Sequence, residues 1–124
     1  MQVTGGAAGG AVPRVTACRG CCCGTARKHP GVDHDRLLDR LVDEVGDRGL
    51  VRTTDCLGPC AESNVVIVTP SPDARRRGAR PVWVRAVLDE VTVRGIGEWV
   101  RDGGPGAAEI PLELAGRVFP RPGG

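Results

Sequence analysis

An α/β fold, with a mixed four-stranded sheet and two main helices, is predicted by three features of this 124-residue sequence. Leu37, Leu38, Leu41, Val42 and Val45 recur at steps of three and four, the spacing that puts side chains on one face of a helix. Val65, Val66, Ile67 and Val68 form a continuous apolar run of the kind found in buried strands. Val82, Val84 and Ala86 alternate with Trp83, Arg85 and Val87, the period-two pattern of a pleated strand.

The remaining elements follow in chain order. Residues 14–17 read as a first strand leading into a cysteine-rich segment. The helix covers 33–45, with Asp33 as its cap after Pro30 and Gly31, and Gly46 and Gly49 at its end. Residues 50–54 and 64–69 read as the second and third strands, and 81–88 as the fourth. The intervening segment 70–80 reads as a turn or loop carrying Arg75, Arg76, Arg77 and Arg80. A second helix spans 89–101, with Val93, Ile96, Trp99 and Val100 on one side and Gly95 and Gly97 lowering its propensity. A first strand, a helix and a second strand make a parallel crossover, and the last two strands add an antiparallel pair.

Composition bounds the function. A hydrophobic content of 40% supports one modest core. Its organisation reads as a flexible tail over 1–11, a domain over 12–102 and a Gly/Pro-rich tail over 103–124. The aromatic residues are Trp83, Trp99 and Phe119, with no tyrosine, so platforms for stacking bases are scarce. A formal charge of +2 gives no electrostatic case for nucleic acid. No stretch approaches the roughly 18 to 20 apolar residues that cross a bilayer, and residues 1–10 lack the basic and apolar regions of a secretory leader. A cytoplasmic location is the expectation, and there six cysteines suit metal ligation or redox chemistry better than disulfides.

Four of those cysteines, Cys18, Cys21, Cys22 and Cys23, stand in CRGCCCG after the first strand. Cys56 and Cys60 stand in CLGPC between the second and third strands. If the two preceding strands are parallel neighbours, both loops leave the same sheet edge and can converge on one site. Thiolates select iron–sulfur clusters, zinc or Cu(I), and Gly20, Gly24, Gly58 and Pro59 provide tight backbone around them.

The C-x4-C of Cys18 and Cys23, the distant C-x3-C of Cys56 and Cys60, the NVVIV segment that follows, and PVWV near the hairpin resemble the thioredoxin-like 2Fe-2S ferredoxins. That family includes the corresponding subunit of respiratory NADH dehydrogenase. The resemblance implies a thioredoxin-like domain, one 2Fe-2S cluster on Cys18, Cys23, Cys56 and Cys60, and one-electron transfer between a reductase and an acceptor oxidoreductase. It implies no catalytic residues, and a homodimer as an option. Two features depart from the pattern: Arg85 and Ala86 follow the aromatic strand where a glycine is usual, and the arginine-rich loop is long.

Two other chemistries fit the cysteines: a zinc-binding structural or regulatory module, and a thiol-redox protein using Cys18 and Cys21. Cys21 and Cys22 read as spare thiols of the loop. His29 and His34 read as solvated residues before the first helix, and Arg27 and Lys28 as positive charge beside the cysteines. Arg75, Arg76, Arg77 and Arg80 offer a surface for an acidic partner, although exposed charge runs are usually only solvated.

Overall fold

The computed structural model describes residues 2–4, 12–19, 31–54 and 64–120. Its strands are β1 (Gln2–Thr4), β2 (Arg14–Cys18), β3 (Leu50–Thr54), β4 (Val66–Thr69), β5 (Val82–Val84) and β6 (Val118–Phe119). Its helices are α1 (His34–Val45), α2 (Pro72–Arg76), α3 (Glu90–Arg101) and α4 (Leu112–Ala115), with a 3-10 turn at Gly46–Arg48. The strands form one mixed sheet in the order β1-β3-β2-β4-β5-β6. β2 and β3 run parallel, with Val15 opposite Val51, and the other neighbours are antiparallel.

This corrects the predicted four-stranded, thioredoxin-like sheet with two helices: among the described residues the sheet has six strands, accompanied by four α-helices. The two added strands span two and three residues, too short for a periodic pattern, and owe their existence to the edges of β3 and β5. The predicted fourth strand is only Val82–Val84, because the chain turns soon after it: Ala86 adopts a φ of 51°, which ends extended backbone. Part of the predicted loop over 70–80 is helical. Ser71 accepts a hydrogen bond from the Ala74 N–H at 3.2 Å and Pro72 opens the first turn, a combination that starts a helix.

α1 begins where the sequence places its cap, with the Asp33 carboxylate accepting from the Arg36 N–H at 3.0 Å. It ends at Gly46, whose φ of 58° suits glycine. Leu37, Leu41 and Val45 are buried against the sheet, while Leu38 and Val42 flank them. α3 is capped by Asp89, which accepts from both the N–H and the hydroxyl of Thr92, at 2.8 and 2.7 Å. These hydrogen bonds, with Arg117 adding a favourable charge, hold the Asp89 carboxyl below the usual aspartate range.

One face of the sheet carries the main core. Val15 and Ala17 of β2, Val51 of β3, Val66 and Val68 of β4 and Val84 of β5 meet Leu41 and Val45 of α1 and Val93, Ile96 and Val100 of α3. Each fully buried side chain of this size contributes roughly 1.5–3 kcal/mol from removal of apolar surface from water. Trp99 joins the same core and satisfies its indole N–H on the Ala108 carbonyl at 3.0 Å. α1 and α3 approach so closely at Gly97 that a β-carbon there would sit 3.0 Å from the backbone carbonyl carbon of Glu44. The glycine that weakens the isolated helix is therefore what lets the two helices touch. Arg101 of α3 caps this contact, pairing with the Glu44 carboxylate at 3.0 Å.

Candidate functional site

Alternation along the strands sends a second set of side chains to the opposite face. Across the sheet, register aligns Arg52 of β3 with Thr16 of β2, Thr16 with Ile67 of β4, Ile67 with Trp83 of β5 and Trp83 with Phe119 of β6. The row is basic and polar at one end and aromatic at the other. Arg52 Nε donates to Thr16 Oγ1 at 3.2 Å, which fixes the guanidinium along the sheet. Trp83 and Phe119 meet edge to face, with ring centroids 6.0 Å apart and planes at 77°.

Cys18 belongs to this second face. It is 2% exposed and lies in an apolar cluster with Val65, Trp83 and Phe119. The sheet ladder holds its backbone, since its N–H donates to the Val65 carbonyl at 3.0 Å and the next residue, Arg19, donates to Thr54 at 2.9 Å. Cys18 is thus the last residue of β2, where the sequence places it immediately after the strand. Cys23, Cys56 and Cys60, the other three expected ligands, lie outside the described residues, as do Cys21, Cys22, Arg27, Lys28 and His29.

The cofactor expectation is corrected accordingly. Among the described residues no group of three or more His, Cys, Asp or Glu side chains is placed to hold a metal ion, whether as a 2Fe-2S cluster or as zinc. Nor does a thiol-redox pair stand among them, because Cys18 is the one described cysteine.

The sheet edge at Cys18 holds a different pair. His34, read from sequence as solvated, is the buried first residue of α1, and its Nδ1 lies 2.9 Å from Asn64 Nδ2. Asn64 is buried as well, and its carbonyl accepts from the Val87 N–H at 3.0 Å. The start of α1, the entry to β4 and the exit from β5 are tied together there.

At the other end of β2 the charges gather. Arg14 pairs in register with Leu50 of β3 and Thr69 of β4, so Arg52, two residues beyond Leu50, is its diagonal neighbour on the same face. Arg75 reaches the same place from α2. Arg14, Arg75, Thr69, Leu50, Pro70, Pro72 and Val12 line a pocket of about 100 Å³. Burial, then the charges of Arg52 and Arg75, pull the Arg14 pKa below the ordinary arginine value. Arg14 Nε is enclosed and has no hydrogen-bond partner among the described residues. The ion pairs of those residues engage Arg36, Arg40, Arg76, Arg101 and Arg117, and none engages Arg14, Arg52 or Arg75.

Arg14 is half-buried, whereas Arg52 and Arg75 are exposed, so solvent screens part of the repulsion among the three charges. Sequence reasoning singled out Arg75 as part of a loop and passed over Arg14, Arg52, Thr69 and Asn64. A trace of the arginine site was present, since Arg14 and Thr16 on one strand and Arg52 and Thr54 on the next share the parity opposite to Val15 and Val51.

No family model, no curated protein and no solved structure matches the chain. The resemblance to thioredoxin-like 2Fe-2S ferredoxins is therefore corrected with the cofactor: neither the comparisons nor a metal-binding group among the described residues supports it. Among the described residues no helix is long and apolar enough to cross a membrane.

Proposed function

We propose that this chain is a binding module, without catalytic residues of its own, that docks an acidic segment of a partner protein on the second face of its sheet. The observation that carries the reading is the placement of Arg14 and Arg75 on one pocket, with Arg52 diagonal to Arg14, at one end of a face whose other end presents Ile67, Trp83 and Phe119. Aromatic and arginine side chains are the residues over-represented in protein interfaces, and complementary charge supplies orientation and association rate. The partner is defined by its charge and its apolar anchors. A cytosolic setting goes with this reading, since a reducing compartment keeps six cysteines as thiols.

Fluorescence anisotropy tests it with an acidic peptide that carries two apolar anchors and with the same peptide made neutral by glutamine. The acidic peptide should bind, and its affinity should fall as salt rises. Arg52→Ala and Trp83→Ala should each weaken it about fivefold, equivalent to ~1 kcal/mol. Arg94→Ala, an exposed change on α3, should leave it unchanged. Equal affinity for the neutral peptide, or tighter binding of a duplex oligonucleotide at the same face, would refute the reading.

A further inference from the structure

The pocket beside Arg14 gives the docking face a chemical preference. We propose that Arg14, Arg52 and Arg75, with the Thr69 hydroxyl, form a site for a phosphate monoester carried by the partner segment. This inference rests on the docking reading and narrows it from an acidic segment to a phosphorylated one.

Charge and donor number decide between phosphate and carboxylate. One guanidinium satisfies a carboxylate with two parallel hydrogen bonds and neutralises its single charge. Here Arg14 of β2 and Arg75 of α2 line one pocket, Arg52 of β3 is the diagonal neighbour of Arg14 on the same face, and no carboxylate pairs with any of them among the described residues. A monoester dianion has roughly twice the charge and three acceptor oxygens, which matches a cluster of several forks. A carboxylate would neutralise one of the three charges.

Shape agrees with charge. The pocket is about 100 Å³, bounded by Val12, Leu50, Pro70 and Pro72, room for a compact group on a side chain. Pro70 and Pro72 contribute no backbone donors, so selectivity falls to the arginines and to Thr69, which is buried at 7% exposure. The enclosed Arg14 Nε offers a donor that no described residue uses. Arg52 is already oriented by its bond to Thr16, so less side-chain entropy is lost when an anion arrives.

Calorimetric titration can separate the sources of phosphate. The probes are inorganic phosphate, a phosphoserine peptide with apolar anchors, and the same peptide with serine or glutamate at the modified position. The phosphopeptide should bind about tenfold tighter than the glutamate peptide, a difference of ~1.4 kcal/mol. Inorganic phosphate should compete with it and raise the melting temperature. Arg14→Gln and Arg75→Gln should each remove that preference and the thermal shift; Arg75 is exposed, so its variant keeps the fold even if Arg14→Gln does not. Arg94→Gln should change neither.

If the phosphopeptide and the glutamate peptide bind equally, the phosphate assignment falls while the docking reading stands. If inorganic phosphate binds but the phosphopeptide gains nothing, assignment to a partner segment is overturned. If no peptide binds, both fall.

Discussion

Asn64 and His34, 30 residues apart in the chain, meet at 2.9 Å between Asn64 Nδ2 and His34 Nδ1 inside the edge of the sheet. A buried polar pair of this kind costs more when one member is removed than when both are, because the survivor is left desolvated. His34→Ala and Asn64→Ala should each destabilise the fold, and a double-mutant cycle in urea should give a coupling of about 1 kcal/mol. Additivity within roughly 0.3 kcal/mol would show that the contact is energetically idle.

The two glycines of α3 should respond in opposite directions. Alanine in a helix gains about 0.8–1 kcal/mol over glycine. At Gly95 the new β-carbon meets the Glu113 side chain, 2.8 Å away at Cγ, and that exposed side chain can swing aside. At Gly97 it meets the backbone of Glu44, which cannot move without separating α1 from α3. Gly95→Ala should raise the denaturation midpoint, and Gly97→Ala should lower stability by about 1–3 kcal/mol, as overpacking does. Thermal melts of the two variants settle the matter, and equal shifts would contradict the close helix contact.

Ala86 holds a φ of 51°, a conformation that costs a residue with a β-carbon roughly 1–2 kcal/mol. Glycine removes that cost but loses more entropy on folding, by about 0.4–1 kcal/mol. Ala86→Gly should therefore stabilise by a few tenths to about 1 kcal/mol. A clear loss of stability in chemical denaturation would show that the turn is not strained.

Asp89 couples the start of α3 to pH. Its folded-state pKa is lowered by the hydrogen bonds from Thr92, so its contribution is fully present above the ordinary aspartate range and is lost as pH falls through the lowered value. Removing the cap with Asp89→Ala should cost about 1 kcal/mol near neutrality. The gap between the variant and the parent should close in acid. A gap that is constant down to strongly acid pH would mean that the carboxylate is not the capping group.

Much of this architecture was legible because its signals are local. The spacing of Leu37, Leu41 and Val45 exposes α1, and Val66 and Val68 mark a strand that is buried wherever it pairs. Parallel pairing of β2 with β3 follows from the helix between them. The short edge strands β1 and β6 have no such signal, because two or three residues become a strand only when a neighbour offers its hydrogen bonds. Ser71 and Pro72 start α2, a signal outweighed in the sequence by the neighbouring prolines, arginines and Gly78, which read as a turn or loop.

The site was harder to read for a related reason. Of the cysteines that the spacing singles out, Cys18 alone is described, and it packs with Val65, Trp83 and Phe119. Arg14, Arg52 and Arg75 are scattered along the chain and become neighbours only through strand register and the placement of α2. His34 looked like a solvated loop residue because its partner, Asn64, carries no motif.

The division of the sheet into two faces also gives the protein a built-in optical readout. It has two tryptophans and no tyrosine. Trp99 is sealed in the core at 3% exposure, while Trp83 is half-buried beside Phe119 on the other side. Collisional quenchers should therefore reach Trp83 first, and ligand occupancy should shift the redder, quenchable part of the emission alone. Loss of the bluer part would report unfolding, so one spectrum can distinguish a filled surface from a broken core.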